Sequence, residues 1–167
     1  FWNGDATNLP GKMVMEYLRG LCQKNAFVGE GYEILGERLH VRDVEIPLFA
    51  VTCETDHIAA WRDCYRGFGM TGAKDKTFVV SQSGHIAGVV NPPSKKKYGH
   101  YTNEELPEAA ADWWEGATFH EGSWWPRWEG WLGKRSGKMI PARELGGNGY
   151  EPLCAAPGTY VKLKPEV

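Results

Sequence analysis

The pattern of apolar and polar positions in the first third of the chain predicts a helix, a hairpin and a buried strand. Residues 11–24 place apolar side chains at helical spacing and predict one amphipathic helix. Residues 32–41 predict a short hairpin that turns near Gly36 and Glu37. Residues 46–54 form a continuous apolar run with β-branched members. Such a run is typical of a strand buried on both faces of a parallel sheet.

The next stretch predicts a second strand beside the first. Residues 58–68 bring aromatic side chains to one face of a helix, and residues 77–82 form another apolar, β-branched run. Residues 46–82 therefore predict a strand–helix–strand unit, the usual connection between two parallel strands. We expect the fold class to be α/β.

Tryptophans cluster in the last third of the chain. The pattern predicts helices near residues 107–117 and 124–135, and a last strand at 159–164. Three tryptophans recur every third residue in the second of these helices and line one face; they are Trp125, Trp128 and Trp131. Packing of that helix onto the domain is the favoured explanation. An exposed face of this kind would instead suit an apolar polymer, a sugar ring or another subunit.

Composition and charge narrow the functional classes. Hydrophobic residues make up 42% of the 167 residues, which argues for a globular chain. The net charge of −2 provides no strong field, so we expect no nucleic-acid partner. No apolar run approaches the roughly 20 residues of a membrane span, so we expect no transmembrane segment. None of the four cysteines forms a C-x-x-C pair, which argues against a metal site and favours a cytoplasmic location.

Two polar side chains follow the two predicted parallel strands. Asp56 comes after the first strand, and His85 follows the second within the segment SGHIAGVVNPP. Because neighbouring parallel strands lie about 4.8 Å apart and end at one edge of the sheet, this carboxylate can hydrogen-bond this imidazole. The carboxylate would hold the ring's tautomer and stabilise its protonated form. His57 adjoins Asp56 and is expected to line the same cleft. The small residues Gly84, Ala87 and Gly88 would leave the His85 ring accessible.

The order of acid and then histidine matches the last two members of an α/β-hydrolase triad. No G-x-S-x-G or G-x-C-x-G motif occurs in the chain, so we expect the nucleophile to precede Phe1. The chain would then be the C-terminal portion of such a fold, with its last parallel strands and flanking helices, incomplete without upstream sequence. Alone it is expected to be inactive and prone to aggregate. The alternative interpretation is that Asp56 only caps the following helix and that His85 is a solvated loop residue.

Five segments resemble class I polyhydroxyalkanoate synthases. They are WNGDATNLPG (2–11), DHIAAW (56–61), SGHIAGVVNPP (83–93), HEGSWWPRW (120–128) and APGTYVKLK (156–164). The resemblance implies the C-terminal part of an α/β-hydrolase-type catalytic domain. It assigns residues 1–42 to the end of a cap subdomain and residues 43–167 to the catalytic core. One departure is Ala60, where the family usually has proline.

The resemblance also implies a function. These enzymes are acyltransferases that polymerise (R)-3-hydroxyacyl-CoA, here expected to be 3-hydroxybutyryl-CoA, into polyhydroxyalkanoate with release of CoA. Asp56 and His85 occupy the family's catalytic acid and histidine positions, whereas its nucleophilic cysteine lies upstream and matches no cysteine of this chain. No cofactor is implied, because CoA is the leaving group of the substrate. The full-length protein is expected to be a homodimer at the surface of polyester granules in the cytoplasm.

Two other functions remain open. A hydrolase of the same fold, an esterase or thioesterase, would use Asp56 and His85 with water as the acceptor. An upstream serine would favour that hydrolase, and an upstream cysteine would favour the synthase. A non-catalytic module that grips polymer or glycan through its tryptophans would be favoured if Asp56 and His85 lay far apart. The distance between these two side chains therefore separates the catalytic hypotheses from the binding hypothesis.

Overall fold

A computed structural model describes residues 8–163 and contains six strands and four α-helices within that range. The strands are β1 (Tyr32–Ile34), β2 (Glu37–Leu39), β3 (Leu48–Cys53), β4 (Lys76–Ser81), β5 (His100–Thr102) and β6 (Thr118–His120), and the helices are α1 (Gly11–Tyr17), α2 (Trp61–Gly69), α3 (Ala110–Glu115) and α4 (Trp125–Gly133). The predicted α/β class is confirmed. Predictions that fall on residues 1–7 and 164–167 lie outside the described range.

The four strands from β3 to β6 form one mixed sheet in the order β3–β4–β5–β6. β3 and β4 pair in parallel from Leu48 opposite Lys76 to Cys53 opposite Ser81, and α2 connects them. The predicted strand–helix–strand unit is thus confirmed. β5 and β6 continue the sheet in antiparallel pairing and were not predicted. Each has only three residues, which is too short for a period in the sequence to be detected.

β3 differs from its prediction in burial. Only Cys53 at its end is fully buried, and the other five residues are half-buried. The prediction of burial on both faces is therefore wrong for this strand. The reason is its place in the sheet: among the described strands, β3 has a neighbour on one side only.

The main core lies between the sheet and helices α2 and α3. Alternate residues of β4, Phe78 and Val80, contact Trp61 and Tyr65 of α2 and Trp113 of α3. The rings of Phe78 and Trp113 meet edge to face at a centroid distance of 5.2 Å, a favourable aromatic geometry. This packing fixes α2 against β4 and so fixes the turn that leads into α2, where Asp56 lies.

Helix α4 lies on the opposite face of the sheet. The ring of Phe49 on β3 is 6.3 Å from the ring of Trp124 and 5.7 Å from that of Trp131. Packing therefore accounts for part of the tryptophan cluster, as the sequence favoured. Trp128 on the same helix is 41% exposed.

The N-terminal region forms a helix and a hairpin apart from the four-stranded sheet. α1 continues as a π-helix over Leu18–Gln23, and neither segment contains a buried residue. The predicted hairpin is confirmed as the antiparallel pair β1–β2. Its turn residues Leu35 and Gly36 both have positive φ, 53° and 85°, which matches the twist of a two-residue hairpin.

The predicted last strand at 159–164 is wrong over its described residues. Tyr160–Lys162 form a single 3₁₀ turn, and this segment pairs with no strand of the described chain. Its apolar–polar alternation is that of a strand, but the tail around it offers no sheet edge to extend. Neither this tail nor any other segment within residues 8–163 forms a helix long and apolar enough to cross a membrane.

Candidate active site

Asp56 and His85 lie together at the carboxyl edge of the parallel strands. The Asp56 Oδ1 atom is 3.3 Å from His85 Nδ1. The Asp56 side chain is only 7% exposed, whereas that of His85 is 42% exposed. The acid is therefore sheltered behind an imidazole that faces solvent. The structure thus brings together the two side chains singled out from the sequence, whose catalytic roles stay predictions.

Backbone hydrogen bonds tie the two loops together beyond the end of the strands. The Glu54 N–H donates to the Ser81 carbonyl at 2.8 Å, and the Thr55 N–H donates to the Ser83 carbonyl at 3.2 Å. Ser83 then adopts a φ of 75°, in the left-handed region that few residues other than glycine enter. This residue turns the chain directly before His85, so the two loops are held as one unit.

The Asp56 carboxylate also closes the turn before α2. Its Oδ1 accepts hydrogen bonds from the N–H groups of Ile58 at 2.9 Å and Ala59 at 3.0 Å. The N–H of Ala59, then that of Ile58, and after them the contact with His85 lower the pKa of Asp56 from its ordinary value of 3.8, against an opposing effect of burial. The carboxylate therefore stays ionised at neutral pH. The interpretation that Asp56 caps the following helix is wrong, because α2 begins only at Trp61, its N-cap is Ala60 and no side chain caps it. One Asp56 oxygen instead closes the turn before the helix and faces His85.

The glycines beside His85 have different roles. A Cβ atom built at Gly84 would meet nothing within 4 Å, which agrees with the predicted access to the ring. A Cβ atom at Gly88 would lie 2.6 Å from Cys53 Sγ. Gly88 is needed for close packing against the end of β3 rather than for access, so that part of the prediction is wrong.

His57 lies beside His85, with 5.9 Å between the two ring centroids. The side chain is exposed, because the turn closed by Asp56 directs it away from the core. Its ring therefore lies next to that of His85 on the exposed side of the site. A substrate-binding role for His57 stays a prediction.

The Cys53 thiol, which adjoins the site, is not a candidate nucleophile. Cys53 ends β3 and is buried, and this burial, reinforced by the charge of Asp56 and by Cys64, raises its pKa to about 11. A thiol with that pKa is protonated at neutral pH, whereas the thiolate is the reactive form. Within residues 8–163, no three His, Cys, Asp or Glu side chains converge to hold a metal ion.

Two buried polar side chains that support the His85 loop were missed from the sequence. Ser81 Oγ donates to the Gly88 carbonyl at 2.8 Å, and Asn91 Nδ2 donates to the carbonyls of Lys97 and Tyr98 at 2.9 and 3.0 Å. Both residues are at most 1% exposed. The sequence does show that Ser81 ends an apolar strand and that Asn91 precedes two prolines. Such positions indicate that the side chain makes a hydrogen bond, but they do not identify its acceptor.

Comparison with known proteins adds what the geometry alone does not give. No protein-family model matches the chain. The chain is 41% identical over 166 residues to the poly(3-hydroxyalkanoate) polymerase subunit PhaC of Cupriavidus necator, a match that covers 98% of this chain and 28% of that protein. It is 40% identical to the polymerase of Methylorubrum extorquens, covering 98% and 27% respectively. It is 35% identical to polymerase 1 of Ectopseudomonas oleovorans, covering 96% and 29%.

The fold and the site define an α/β protein with a carboxylate–histidine pair at the carboxyl edge of its parallel strands. Within that class, the chain is similar to the C-terminal part of poly(3-hydroxyalkanoate) polymerases, and the resemblance seen in the sequence is confirmed. The chain spans just over a quarter of the length of these relatives and matches their C-terminal part.

Proposed function

We propose that the chain is the C-terminal part of the catalytic domain of an acyltransferase that polymerises (R)-3-hydroxyacyl-CoA into polyhydroxyalkanoate. The expected substrate is 3-hydroxybutyryl-CoA, and CoA is its leaving group, so no separate cofactor takes part. The observation that carries the proposal is the 3.3 Å approach of His85 Nδ1 to Asp56 Oδ1 in a chain similar to these polymerases. Asp56 and His85 would supply two members of a Cys-His-Asp triad.

In the first half-reaction, His85 acts as the base. Because Nδ1 faces Asp56, Nε2 is the nitrogen that takes the proton from the thiol of a cysteine upstream of this chain. The resulting thiolate attacks the thioester carbonyl, so that the bond from acyl carbon to cysteine sulfur forms and the bond to CoA sulfur breaks. The proton on His85 then passes to the departing CoA thiolate.

In the second half-reaction, the acyl group moves from cysteine to a hydroxyl group. The hydroxyl of a monomer or of the growing chain loses its proton to His85, and its oxygen forms the ester bond as the bond to cysteine sulfur breaks. The proton on His85 then returns to the released cysteine thiolate, which restores the starting state. General-base help of this kind is typically worth about 10²–10⁴-fold. The lowered pKa of Asp56, together with its two N–H bonds, supports a role in orienting His85 rather than in taking the hydroxyl proton itself.

The proposal includes a finer fold and location. The parallel pair β3–β4 with its α2 crossover supports assignment to the last strands of an α/β-hydrolase fold, with residues 43–167 in the core. Residues 1–42 would end the cap subdomain, and the helix and hairpin described there stand apart from the four-stranded sheet. The exposed apolar side chains of Met13 and Tyr17 support an interface in that region. We place the full-length protein in the cytoplasm at the surface of polyester granules, as a homodimer.

The test uses the full-length product of the gene that encodes this chain. With 3-hydroxybutyryl-CoA, we expect continuous release of CoA together with insoluble polyester. Butyryl-CoA is the matched control, because it lacks the accepting hydroxyl and should release no more than about one CoA per active site. Steady release of CoA from both substrates, with free acids as products, would assign the hydrolase function instead. No CoA release from either substrate would reject the acyl-transfer mechanism.

A further inference from the structure

The turn that carries His85 is held by a hydrogen bond from a distant helix. The Gly88 carbonyl, three residues after His85, accepts the indole N–H of Trp124 at 3.0 Å in addition to the Ser81 hydroxyl. Trp124 directly precedes α4, and 36 residues separate it from Gly88 in sequence. The contact between Asp56 and His85 does not itself require this hydrogen bond. The sequence predicted only that the tryptophans pack onto the domain.

A second tryptophan repeats the contact at the next residue. The indole N–H of Trp125 donates to the Val89 carbonyl at 3.0 Å. Ser123 Oγ accepts the backbone N–H of Trp125 at 3.0 Å and so fixes the start of α4. Two successive indole N–H groups therefore donate hydrogen bonds to two successive carbonyls of the His85 turn.

The donor at Trp124 is fixed in place by its own surroundings. Trp124 is only 7% exposed, and its ring lies 6.3 Å from Phe49 on β3 and 6.0 Å from Trp128 on α4. A donor anchored on both the sheet and α4 cannot follow a displaced turn. If residues 84–90 move, the hydrogen bond between the Trp124 indole and the Gly88 carbonyl therefore breaks.

We infer that Trp124 and Trp125 are positioning residues for His85. Their indole N–H groups hold the 84–90 turn so that Nδ1 stays on Asp56 and Nε2 faces the reacting groups. This inference rests on the proposed function, since it assigns the positioning to that same histidine. Positional accuracy matters here because a displacement of about 1 Å in a reacting group can reduce a rate by about 10²-fold.

The test compares Trp124→Phe with Trp131→Phe in the full-length gene product. Phenylalanine keeps an aromatic ring but removes the donor. Trp131 is the matched control, because it lies on α4, packs on Phe49 as Trp124 does, and its buried N–H has no hydrogen-bond partner among the described residues. For Trp124→Phe we expect the rate of amide hydrogen exchange in the peptide covering 84–90 to rise about fivefold to tenfold. This is the increase expected when one neutral hydrogen bond that stabilises the turn is lost. We also expect kcat for CoA release to fall with KM unchanged, and neither effect in Trp131→Phe.

A double variant separates a hydrogen-bonding role from simple packing. Ser81 and Trp124 share one buried acceptor, so Ser81→Ala with Trp124→Phe leaves the Gly88 carbonyl unpaired. We expect the exchange rate to rise by more than the product of the two single effects. If Trp124→Phe does not fold, the half-buried Trp125→Phe gives the same comparison at the Val89 carbonyl.

Equal exchange and equal kcat in the Trp124 and Trp131 variants would overturn the inference, as would purely multiplicative effects in the double variant. The hydrogen-exchange measurement needs no activity. If the protein released no CoA, the proposed function would fail. The hydrogen-exchange rates would still show whether Trp124 stabilises the His85 turn. If CoA were released at an unchanged rate by Trp124→Phe, the positioning role would fail and the proposed function would stand.

Discussion

At the residue scale, the Asp56 carboxylate combines a structural contact and a proposed catalytic one. Its Oδ1 accepts two backbone N–H groups of the turn before α2 and also faces His85 Nδ1. From the sequence these appeared as competing explanations, because a pattern of residues does not show how many donors surround one oxygen. The structure shows that the turn presents the carboxylate to the histidine.

The pH dependence of stability tests this arrangement through Asp56→Asn. Asparagine keeps an oxygen that can accept both N–H bonds but removes the charge. Because the folded-state pKa of Asp56 lies below its ordinary value of 3.8, the ionised group stabilises the fold at neutral pH. That contribution is fully present above the ordinary value of 3.8 and is lost as the pH falls below it, through the lower folded-state pKa. We expect the free energy of unfolding in urea to fall more steeply over this range in the wild type than in the variant, and parallel curves would contradict the assignment.

Ala60, where the resembled family usually has proline, gives a second prediction at this scale. Its φ is −55°, within the range that proline imposes, and its N–H donates to no group in the described part of the chain. Ala60→Pro is therefore expected to stabilise the folded chain by about 0.4–1 kcal/mol, through a less flexible unfolded state. Ala59→Pro is the control, because it removes the N–H that donates to Asp56 and should destabilise. Chemical denaturation measures both, and a destabilising Ala60→Pro would show that the turn does not accept the ring.

At the element scale, the success of sequence reasoning depended on element length. β3 and β4 have six residues each and read as apolar runs, so their existence, their parallel pairing and the helix between them could be predicted. β5 and β6 have three residues each, and their pairing depends on contacts that no local pattern encodes. The segment 159–164 was predicted as a strand but is not one over its described residues. Its alternation is strand-like, but such a segment forms a strand only where a neighbouring strand is available to pair with it.

The contrast between a core ring and a surface ring tests the packing of these elements. Phe78 on β4 is 1% exposed and contacts α2 and α3, whereas Phe119 on β6 is 46% exposed. We expect Phe78→Ala to lower the free energy of unfolding by about 3–5 kcal/mol. Phe119→Ala should lower the free energy of unfolding much less, because about half of that side chain is already exposed to solvent in the folded state. Similar losses from the two variants, measured by urea denaturation, would mean that the core does not lie between the sheet, α2 and α3.

At the scale of the whole molecule, the described chain leaves apolar surface uncovered. Met13, Tyr17 and Leu18 are between 42% and 53% exposed, and β3 has no strand on its outer side within residues 8–163. We expect the 167-residue chain alone to self-associate as its concentration rises, as sedimentation velocity would show. Leu18→Lys should weaken this association, whereas Lys12→Gln on the same helix should not. A wild-type chain that stayed monomeric at every concentration would show that these surfaces need no partner.

The central claim concerns His85, which is proposed to pass protons between the reacting groups while Asp56 holds it in place. The most direct measurement is the rate of CoA release from 3-hydroxybutyryl-CoA by the full-length protein with His85→Ala, with thermal stability measured on the same sample. Because the side chain is 42% exposed on a loop, the variant should fold with an unchanged melting temperature. Its rate should fall by about 10²–10⁴-fold, the usual worth of a general base. A folded variant that releases CoA at the wild-type rate would contradict the account.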